Sequence, residues 1–222
     1  MSSPGPGPAP ASDTARRLLD AAARLLSEEG PAALTTRRLA REVGTSTMAV
    51  YTHFGSLPDL VRAVIREGFR RVDALLRALP TGADPVADLA AMCRVAVDYA
   101  RAEPHLYAVM FGGSSLAGFH LTTDDLRIGG HALRLLHEAV ERCVAAGRFR
   151  SDEPWVITRR LWCQLHGLLQ LERAGYFDPP FVPEGYPYLE GQLRDFAVGA
   201  GDDLAAATAS VRRAAALVPP AG

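Results

Sequence analysis

The chain has 222 residues, of which 48% are hydrophobic and 22% charged, and its formal net charge is −1. These proportions are ordinary for a globular protein and exclude a wholly disordered chain. No apolar run approaches the roughly 20 residues that span a bilayer. Residues 1–11 lack the basic and apolar segments of a secretory signal, and Cys93, Cys143 and Cys163 show no paired spacing. We therefore expect a cytoplasmic protein with no disulfide framework and no membrane partner.

The front of the chain predicts a short tail followed by four helices. Residues 1–12 alternate Pro with Gly and Ala, which indicates disorder. Leucines and alanines then recur at helical spacing until Gly30, which predicts a first helix over Thr14–Glu29. Capping residues and glycines bound two short helices, at Arg37–Val43 and Ser46–Phe54. A fourth helix, capped by Ser56, extends to about Leu79.

The rear of the chain also predicts only helices. Capping residues, prolines and glycines mark five more, with a loop over 114–122 and an irregular stretch over 176–188. Those five helices are Asp84–Arg101, Pro104–Phe111, Thr123–Ala146, Pro154–Ala174 capped by Asp152, and Asp202–Leu217. Because no segment alternates like a strand, the prediction is an all-α protein of about nine helices.

The two short helices have the spacing of a helix-turn-helix. Ala40 must be small because the second helix crosses close above it, and Gly44 accepts the positive φ of the turn. Val50, six residues later, must be apolar to pack back on the first helix. This combination also occurs in ordinary helical hairpins, so it is moderately specific by itself.

The polar side of this hairpin carries the residues that could contact nucleic acid. Short hydroxyls, an aromatic ring and an apolar side chain can contact base edges in a major groove, and a helix start with an arginine suits a phosphate. The alternative is an ordinary amphipathic surface. The candidate DNA-binding residues are Thr35, Thr36, Arg37, Ser46, Thr47, Met48, Tyr51, Thr52 and His53.

On these residues the front of the chain resembles the TetR family of bacterial transcriptional repressors. The match covers residues 13–66 and includes Thr35–Arg37, Val43-Gly44 and Val50-Tyr51 with His53-Phe54. The resemblance implies DNA contacts by Thr36, Arg37, Thr47, Met48, Tyr51 and His53. It also implies a homodimer formed by the last two long helices of each subunit. One departure is Leu57, where the family usually has a phosphate-contacting Lys.

Residues 84–177 resemble one subset of that family's ligand-binding domains. The subset has a Trp-His-Gly signature, here Trp162, His166 and Gly167, preceded by the stretch Glu103–Gly112. The resemblance implies a small-molecule pocket in this region. The predicted domains are therefore a tail at 1–12, a helix-turn-helix domain at 13–60, and a helical ligand-binding and dimerisation domain at 61–218.

Large apolar side chains in this rear region could line such a pocket, although each could equally be plain core. The candidate ligand residues are Met92, Tyr99, Tyr107, Met110, Phe111, Phe119, Trp162 and His166, with Leu165 beside them and His105 and His120 as further polar groups. Cys163 and His166 lie on one helix face, but we interpret this helix as buried and expect no catalytic pair. We expect no metal and no cofactor.

The sequence therefore predicts a DNA-binding repressor that responds to a small, largely apolar effector. A twofold dimer would present two reading helices to successive major grooves, so the double-stranded operator should be a near-palindrome. Three alternatives remain open: a helical ligand-binding or sequestering protein that no longer binds DNA, a helical enzyme, and an activator.

Overall fold

A computed structural model describes residues 13–111, 123–150, 153–177 and 188–218. Within these residues every regular element is helical, which confirms the all-α prediction. The ten α-helices are α1 Asp13–Glu29, α2 Thr36–Val43, α3 Thr47–Phe54, α4 Leu57–Arg77, α5 Pro85–Ala102, α6 Pro104–Met110, α7 Thr123–Ala145, α8 Pro154–Arg173, α9 Tyr188–Ala200 and α10 Leu204–Leu217. A short 3₁₀ turn, Pro31–Ala33, follows α1. No helix of the described residues is long and apolar enough to cross a membrane.

Helix α9 is the element that the sequence analysis did not predict. It begins at Tyr188, the last residue of the stretch expected to be irregular, and it buries Leu189, Leu193 and Ala197. This stripe is narrow because small and polar residues separate its apolar positions. Four prolines precede it in the sequence, and they favoured the prediction of an irregular stretch. The described part of the chain thus has one more α-helix than predicted.

Several sequence predictions lie outside the described residues. These are the tail at 1–12, the loop at 114–122 with Phe119 and His120, and the capping role of Asp152. Most of the irregular stretch, at 178–187, is also outside them. The residue before α8 is Glu153, whose side chain makes no capping hydrogen bond.

The helices form two compact units. Of the described residues, the first unit comprises 13–68, 105–111 and 123–125, and the second comprises 69–104, 126–150, 153–177 and 188–218. In the first unit α1, α2 and α3 pack against one another. The apolar residues Leu18, Leu39 and Val50 are fully buried there. This burial stabilises the hairpin by roughly 1.5–3 kcal/mol per side chain, before the entropy cost of folding is counted.

Helix α6 belongs to the first unit, although it follows α5 in the sequence. The Nδ1 atom of His105 lies 2.5 Å from the carbonyl oxygen of Ser27 on α1. A Cβ built on Gly68 of α4 would come within 2.7 Å of the Met110 sulfur, so α4 and α6 approach closely because residue 68 has no side chain. The front unit is therefore larger than the helix-turn-helix alone.

In the second unit α10 packs along α5, and polar residues join the ends of its helices. Asp84 caps α5 by accepting a hydrogen bond from the Ala87 amide, and it also accepts one from the Ser210 hydroxyl. Arg148 donates to both Asp202 oxygens, at 2.6 Å each. Burial alone would raise the pKa of Asp84, but the Ser210 and backbone hydrogen bonds, with the nearby Arg148 and Arg213, hold it below its ordinary value. The cluster fixes the starts of α5 and α10 relative to the end of α7.

Candidate nucleic-acid interface

The start of α2 is fixed by a side-chain cap. Thr35 lies in extended conformation just before the helix, and its hydroxyl accepts a hydrogen bond from the Arg38 amide at 3.2 Å. The cap satisfies one of the amides that a helix start leaves open and fixes the direction of the entering chain. Thr35 and Arg37 are exposed, and Thr36 is partly exposed. The three predicted phosphate-side residues therefore lie together at one helix start.

A group of ion pairs holds α2 against α1. Arg38 of α2 contacts Glu29 and Glu42, each at 2.8 Å, and Arg24 of α1 contacts Glu42 at 2.8 Å. Hydrogen bonds from Arg38 and Arg24 lower the pKa of Glu42 below its ordinary value. Arg17 of α1 also donates to the carbonyl of Val43 at 2.6 Å. These contacts fix the end of α2 and therefore the position from which α3 begins.

The turn between α2 and α3 requires a glycine. Gly44 has φ 68° and ψ 41°, in the left-handed region that residues with a Cβ disfavour. The Thr45 amide donates to the Ala40 carbonyl at 2.8 Å and closes the helix end. Ala40 itself is buried, so the predicted roles of Ala40 and Gly44 agree with the geometry.

Helix α3 buries one side and exposes the other. Val50 is fully buried, whereas Met48 is 65% exposed and Tyr51 46% exposed. Thr52 and His53 are exposed as well. The exposed surface of this eight-residue helix therefore carries the Tyr51 ring, the Met48 thioether and polar side chains. A surface of this kind can enter a major groove.

The hydroxyl groups on this surface differ in what they can offer. Thr52 donates to the Met48 carbonyl at 2.9 Å, so its proton is used within the helix. Ser46 immediately precedes α3 and makes no side-chain capping bond, and among the described residues its hydroxyl has no partner. Ser46 can therefore donate to an incoming group, whereas Thr52 can offer chiefly its methyl group and an oxygen lone pair.

Arginines of α2 divide into paired and unpaired ones. Arg38 is held by carboxylates, whereas Arg37 and Arg41 are exposed and form no ion pair with the described residues. Arg37 and Arg41 lie one turn apart and so share a helix face. The sequence analysis did not select Arg41, although its i, i+4 spacing from Arg37 could have indicated it.

The start of α4 is closed by its own capping residues. The Ser56 hydroxyl donates to Asp59 at 2.5 Å, and the Asp59 amide donates back to Ser56. The Ser56 hydrogen bond and the Arg62 guanidinium lower the pKa of Asp59. Arg62 is bonded to Asp59 at 2.8 Å, so its charge is partly neutralised at the start of α4.

The candidate ligand residues are divided between the two units. Tyr107, Met110 and Phe111 belong to the first unit, and the other described candidates, Met92, Tyr99, Trp162 and His166, belong to the second. Their burial also differs, since Tyr107 and Met110 are buried whereas Phe111 is exposed.

Helix α8 is less buried than the sequence predicted. It buries Leu161 and Leu165, but Trp162 and Cys163 lie on its exposed side. The interpretation of Cys163 as a buried residue was therefore wrong, because the apolar residues of α8 outnumber the positions that its neighbours cover. The Trp162 and His166 rings meet edge to face, with centroids 4.4 Å apart. Burial lowers the pKa of the His166 imidazole to about 4, so this ring is neutral near pH 7.

Two cavities of the second unit are lined by other residues. One, of about 640 Å³, lies between α8 and α9 and is lined by residues such as Val156, Cys163 and Phe196. The other, of about 690 Å³, lies where α5, α8, α9 and α10 meet. None of the candidate ligand residues that the structure describes lines either cavity.

Sequence models of two domains match this chain. "Bacterial regulatory proteins, tetR family" matches residues 18–64, and "Tetracyclin repressor-like, C-terminal domain" matches residues 89–196. Together they cover more than two thirds of the chain. A search of curated proteins found no match.

Solved structures share the fold over most of the chain. A protein of unknown function from Rhodococcus sp. RHA1 is 27% identical, with a TM-score of 0.71 over 85% of this chain and 95% of that one. RolR in complex with resorcinol is 16% identical, with a TM-score of 0.65 over 94% and 96% of the two chains. PfmR, a TetR family transcriptional regulator from Thermus thermophilus, is 21% identical, with a TM-score of 0.57 over 82% and 95%. With matches in both its front and its rear region, the chain belongs to the TetR family of bacterial transcriptional regulators.

Proposed function

We propose that this regulator binds a near-palindromic DNA operator as a homodimer and represses transcription until a small effector reduces its affinity. The observation that carries the proposal is the exposed side of α3, where Met48 and Tyr51 project opposite the buried Val50. In this proposal Ser46, Thr47, Met48, Tyr51, Thr52 and His53 contact the major groove, and Thr35, Thr36 and Arg37 contact phosphates.

The homodimer face that we propose comprises α8 and α9, whereas the last two long helices predicted from the sequence were Pro154–Ala174 and Asp202–Leu217. Gly167, Gly191 and Gly199 lie within these helices, and apart from the adjoining backbone of their own helix no atom of the described residues lies within 4 Å of where their Cβ atoms would be. A glycine inside a helix costs roughly 0.5–1 kcal/mol relative to alanine. Packing within the subunit does not require these glycines, so close approach by a helix of a second copy would account for them.

Charge supports the same face. Arg159 and Arg160 of α8 are exposed and have no ion-pair partner among the described residues. Asp195 of α9 pairs with the adjacent Arg194 at 2.7 Å and is exposed in the lining of the α8–α9 cavity, as Arg159 and Arg160 are. A second copy, turned about a twofold axis, could bring its aspartate to these arginines. Two copies of α3 would then need a separation of about 34–36 Å to enter successive major grooves.

Two observations support the proposed response to an effector: a solved structure of similar fold contains a small molecule, and the second unit of this chain has cavities. RolR was solved with resorcinol bound. An effector that binds one dimer geometry more tightly shifts the equilibrium by its differential affinity, typically about 1–3 kcal/mol. Repression, rather than activation, is the simplest consequence of a protein that occupies an operator until it is released.

The test begins with selection of bound DNA from a random pool by the full chain. We expect a near-palindromic sequence. In a gel shift with that DNA, Tyr51→Ala should weaken binding at least about 30-fold, since a contact of this kind is worth about 2 kcal/mol. Tyr176→Ala, which removes a tyrosine of the second unit that is 63% exposed, is the matched control and should bind normally. Unchanged binding by Tyr51→Ala would remove α3 from the interface.

A further inference from the structure

The exposed surface of α3 has a central stripe flanked by other side chains. With about 100° of turn per residue, Met48 and Thr52 lie about 160° and 200° around the helix from the buried Val50, so they form one stripe opposite the core. Tyr51 lies about 100° from Val50 and therefore stands at one flank. Because a helix in the major groove turns the middle of its exposed surface towards the base edges, we call Met48 and Thr52 the reading stripe.

Both side chains of the reading stripe present apolar groups. Met48 is 65% exposed and ends in a thioether with a methyl group. Thr52 is also exposed, but its hydroxyl donates to the Met48 carbonyl at 2.9 Å. This hydrogen bond fixes the Thr52 rotamer, so the Cγ2 methyl group is what the side chain chiefly offers to a partner. The reading stripe is therefore a surface that carries methyl groups.

The whole of α3 lacks the side chains that distinguish the other three bases most strongly. In the major groove Arg or Lys bonds guanine, Asn or Gln bonds adenine through two hydrogen bonds, and Asp or Glu accepts from cytosine. None of these residue types occurs in Thr47–Phe54. Thymine alone carries a 5-methyl group in the major groove, and apolar side chains contact it. The composition of α3 and the geometry of its reading stripe thus favour the same base.

We propose that the reading stripe of α3 recognises the 5-methyl groups of thymines, so that A·T pairs lie beneath α3 in each operator half-site. This inference rests on the proposed function and specifies the DNA that α3 recognises. Removal of the methyl groups from water supplies the discrimination, because burial of apolar surface is favourable and is lost when the methyl group is absent. The twofold dimer makes the contact once in each half-site.

Replacement of thymine by deoxyuridine tests the inference, because it removes the 5-methyl group and leaves base pairing intact. The probe is the duplex that the full chain selects from the random pool, synthesised again with deoxyuridine at one thymine position of both half-sites at a time. Beneath the reading stripe we expect a loss of affinity of at least about threefold per half-site, and so about tenfold for the symmetric duplex. Replacement outside the half-sites is the control and should leave the affinity unchanged.

Two variants assign the contact to Thr52. Thr52→Ser removes only the methyl group, so at one of these positions it should bind the thymine and the deoxyuridine duplexes alike. Thr52→Val retains a methyl group without the hydroxyl and should keep the preference for thymine. Both changes are at an exposed position, and thermal melting checks that each variant is folded.

The outcomes separate this inference from the proposed function. If the full chain selects no specific duplex, operator binding is contradicted and this inference with it. A specific duplex without A·T pairs in its half-sites, or one that tolerates deoxyuridine at every thymine, would overturn methyl recognition while operator binding stands. An unchanged preference for thymine in Thr52→Ser would overturn the assignment to Thr52.

Discussion

Neighbouring residues of α2 have opposite roles. Arg38 is bonded to Glu29 and Glu42 and fixes the hairpin, whereas Arg37, one position earlier, has no ion pair among the described residues. A free guanidinium at a helix start can contact a phosphate without first breaking a bond. The difference comes from the helical turn of about 100° per residue, which directs one side chain towards α1 and the next towards solvent.

A salt titration distinguishes these two arginines. Arg37→Gln should weaken binding to all DNA sequences alike and make the slope of log K against log salt shallower by about one for each subunit, because one phosphate contact is lost. Arg38→Gln is the control: it should lower the melting temperature through the loss of its ion pairs but leave the slope unchanged. Filter binding between about 50 and 200 mM salt measures both. An unchanged slope for Arg37→Gln would remove it from the phosphate contacts.

Local chemistry made much of the site predictable from the sequence. Gly44, Ala40 and Val50 were selected because a tight helical turn restricts what can occupy those positions, and the structure places each as expected. The sequence analysis did not predict the hydrogen bond from Thr52 to the Met48 carbonyl, nor that Arg41 would have no ion pair with the described residues. Both depend on which partner a side chain selects among several within reach, and spacing alone does not determine that choice.

At the scale of the element, helix α9 shows where pattern analysis fails. Its buried positions, Leu189, Leu193 and Ala197, are four residues apart, and glycines stand between and beyond them. Periodicity detects a helix by the width of its apolar face, and this face is narrow. The opposite error occurred in α8, where apolar composition predicted burial but Trp162 and Val156 are exposed.

Replacing a glycine of α8 or α9 should affect subunit stability and dimer affinity in opposite directions. Gly167→Ala should leave the subunit as stable or stabilise it by about 0.5–1 kcal/mol, because alanine favours the helix and no other helix or loop of the described residues obstructs the new methyl group. The same methyl group should weaken the dimer at least about tenfold by preventing close packing.

Gly130→Ala on α7 is the matched control, since its Cβ position is equally open. It should stabilise the subunit without changing dimerisation. Analytical ultracentrifugation over a dilution series measures the dimer, and urea unfolding measures the subunit. A Gly167→Ala dimer of unchanged affinity would place the face elsewhere.

At the scale of the whole molecule, the His166 pKa makes stability depend on pH. The folded state holds this pKa at about 4, whereas an unfolded histidine titrates near 6.5. Between these values the unfolded chain binds the extra proton, so stability is complete above about pH 6.5 and falls as the pH decreases towards 4. Since solvent still reaches part of the ring, we expect a loss of about 1–2 kcal/mol.

Urea unfolding between about pH 7.5 and pH 4.5 measures this loss. His166→Gln should flatten the decline, because it removes the group that the unfolded state protonates. Asp84 and Glu42 have lowered pKa values, so most of their contribution is lost below the range measured, and any part lost within it is common to the parent and the variant. An identical decline in the variant would assign the pH dependence to other groups.

The placement of α6 has a practical consequence for protein engineering. His105 contacts Ser27 and Met110 lies against Gly68, so α6 covers part of the surface of α1 and α4 in the first unit. A fragment cut after α4 would expose that surface to water and would tend to self-associate. A chimaera that joins α1–α4 to the ligand-binding domain of another protein must therefore include α6 or replace the apolar groups that α6 covers.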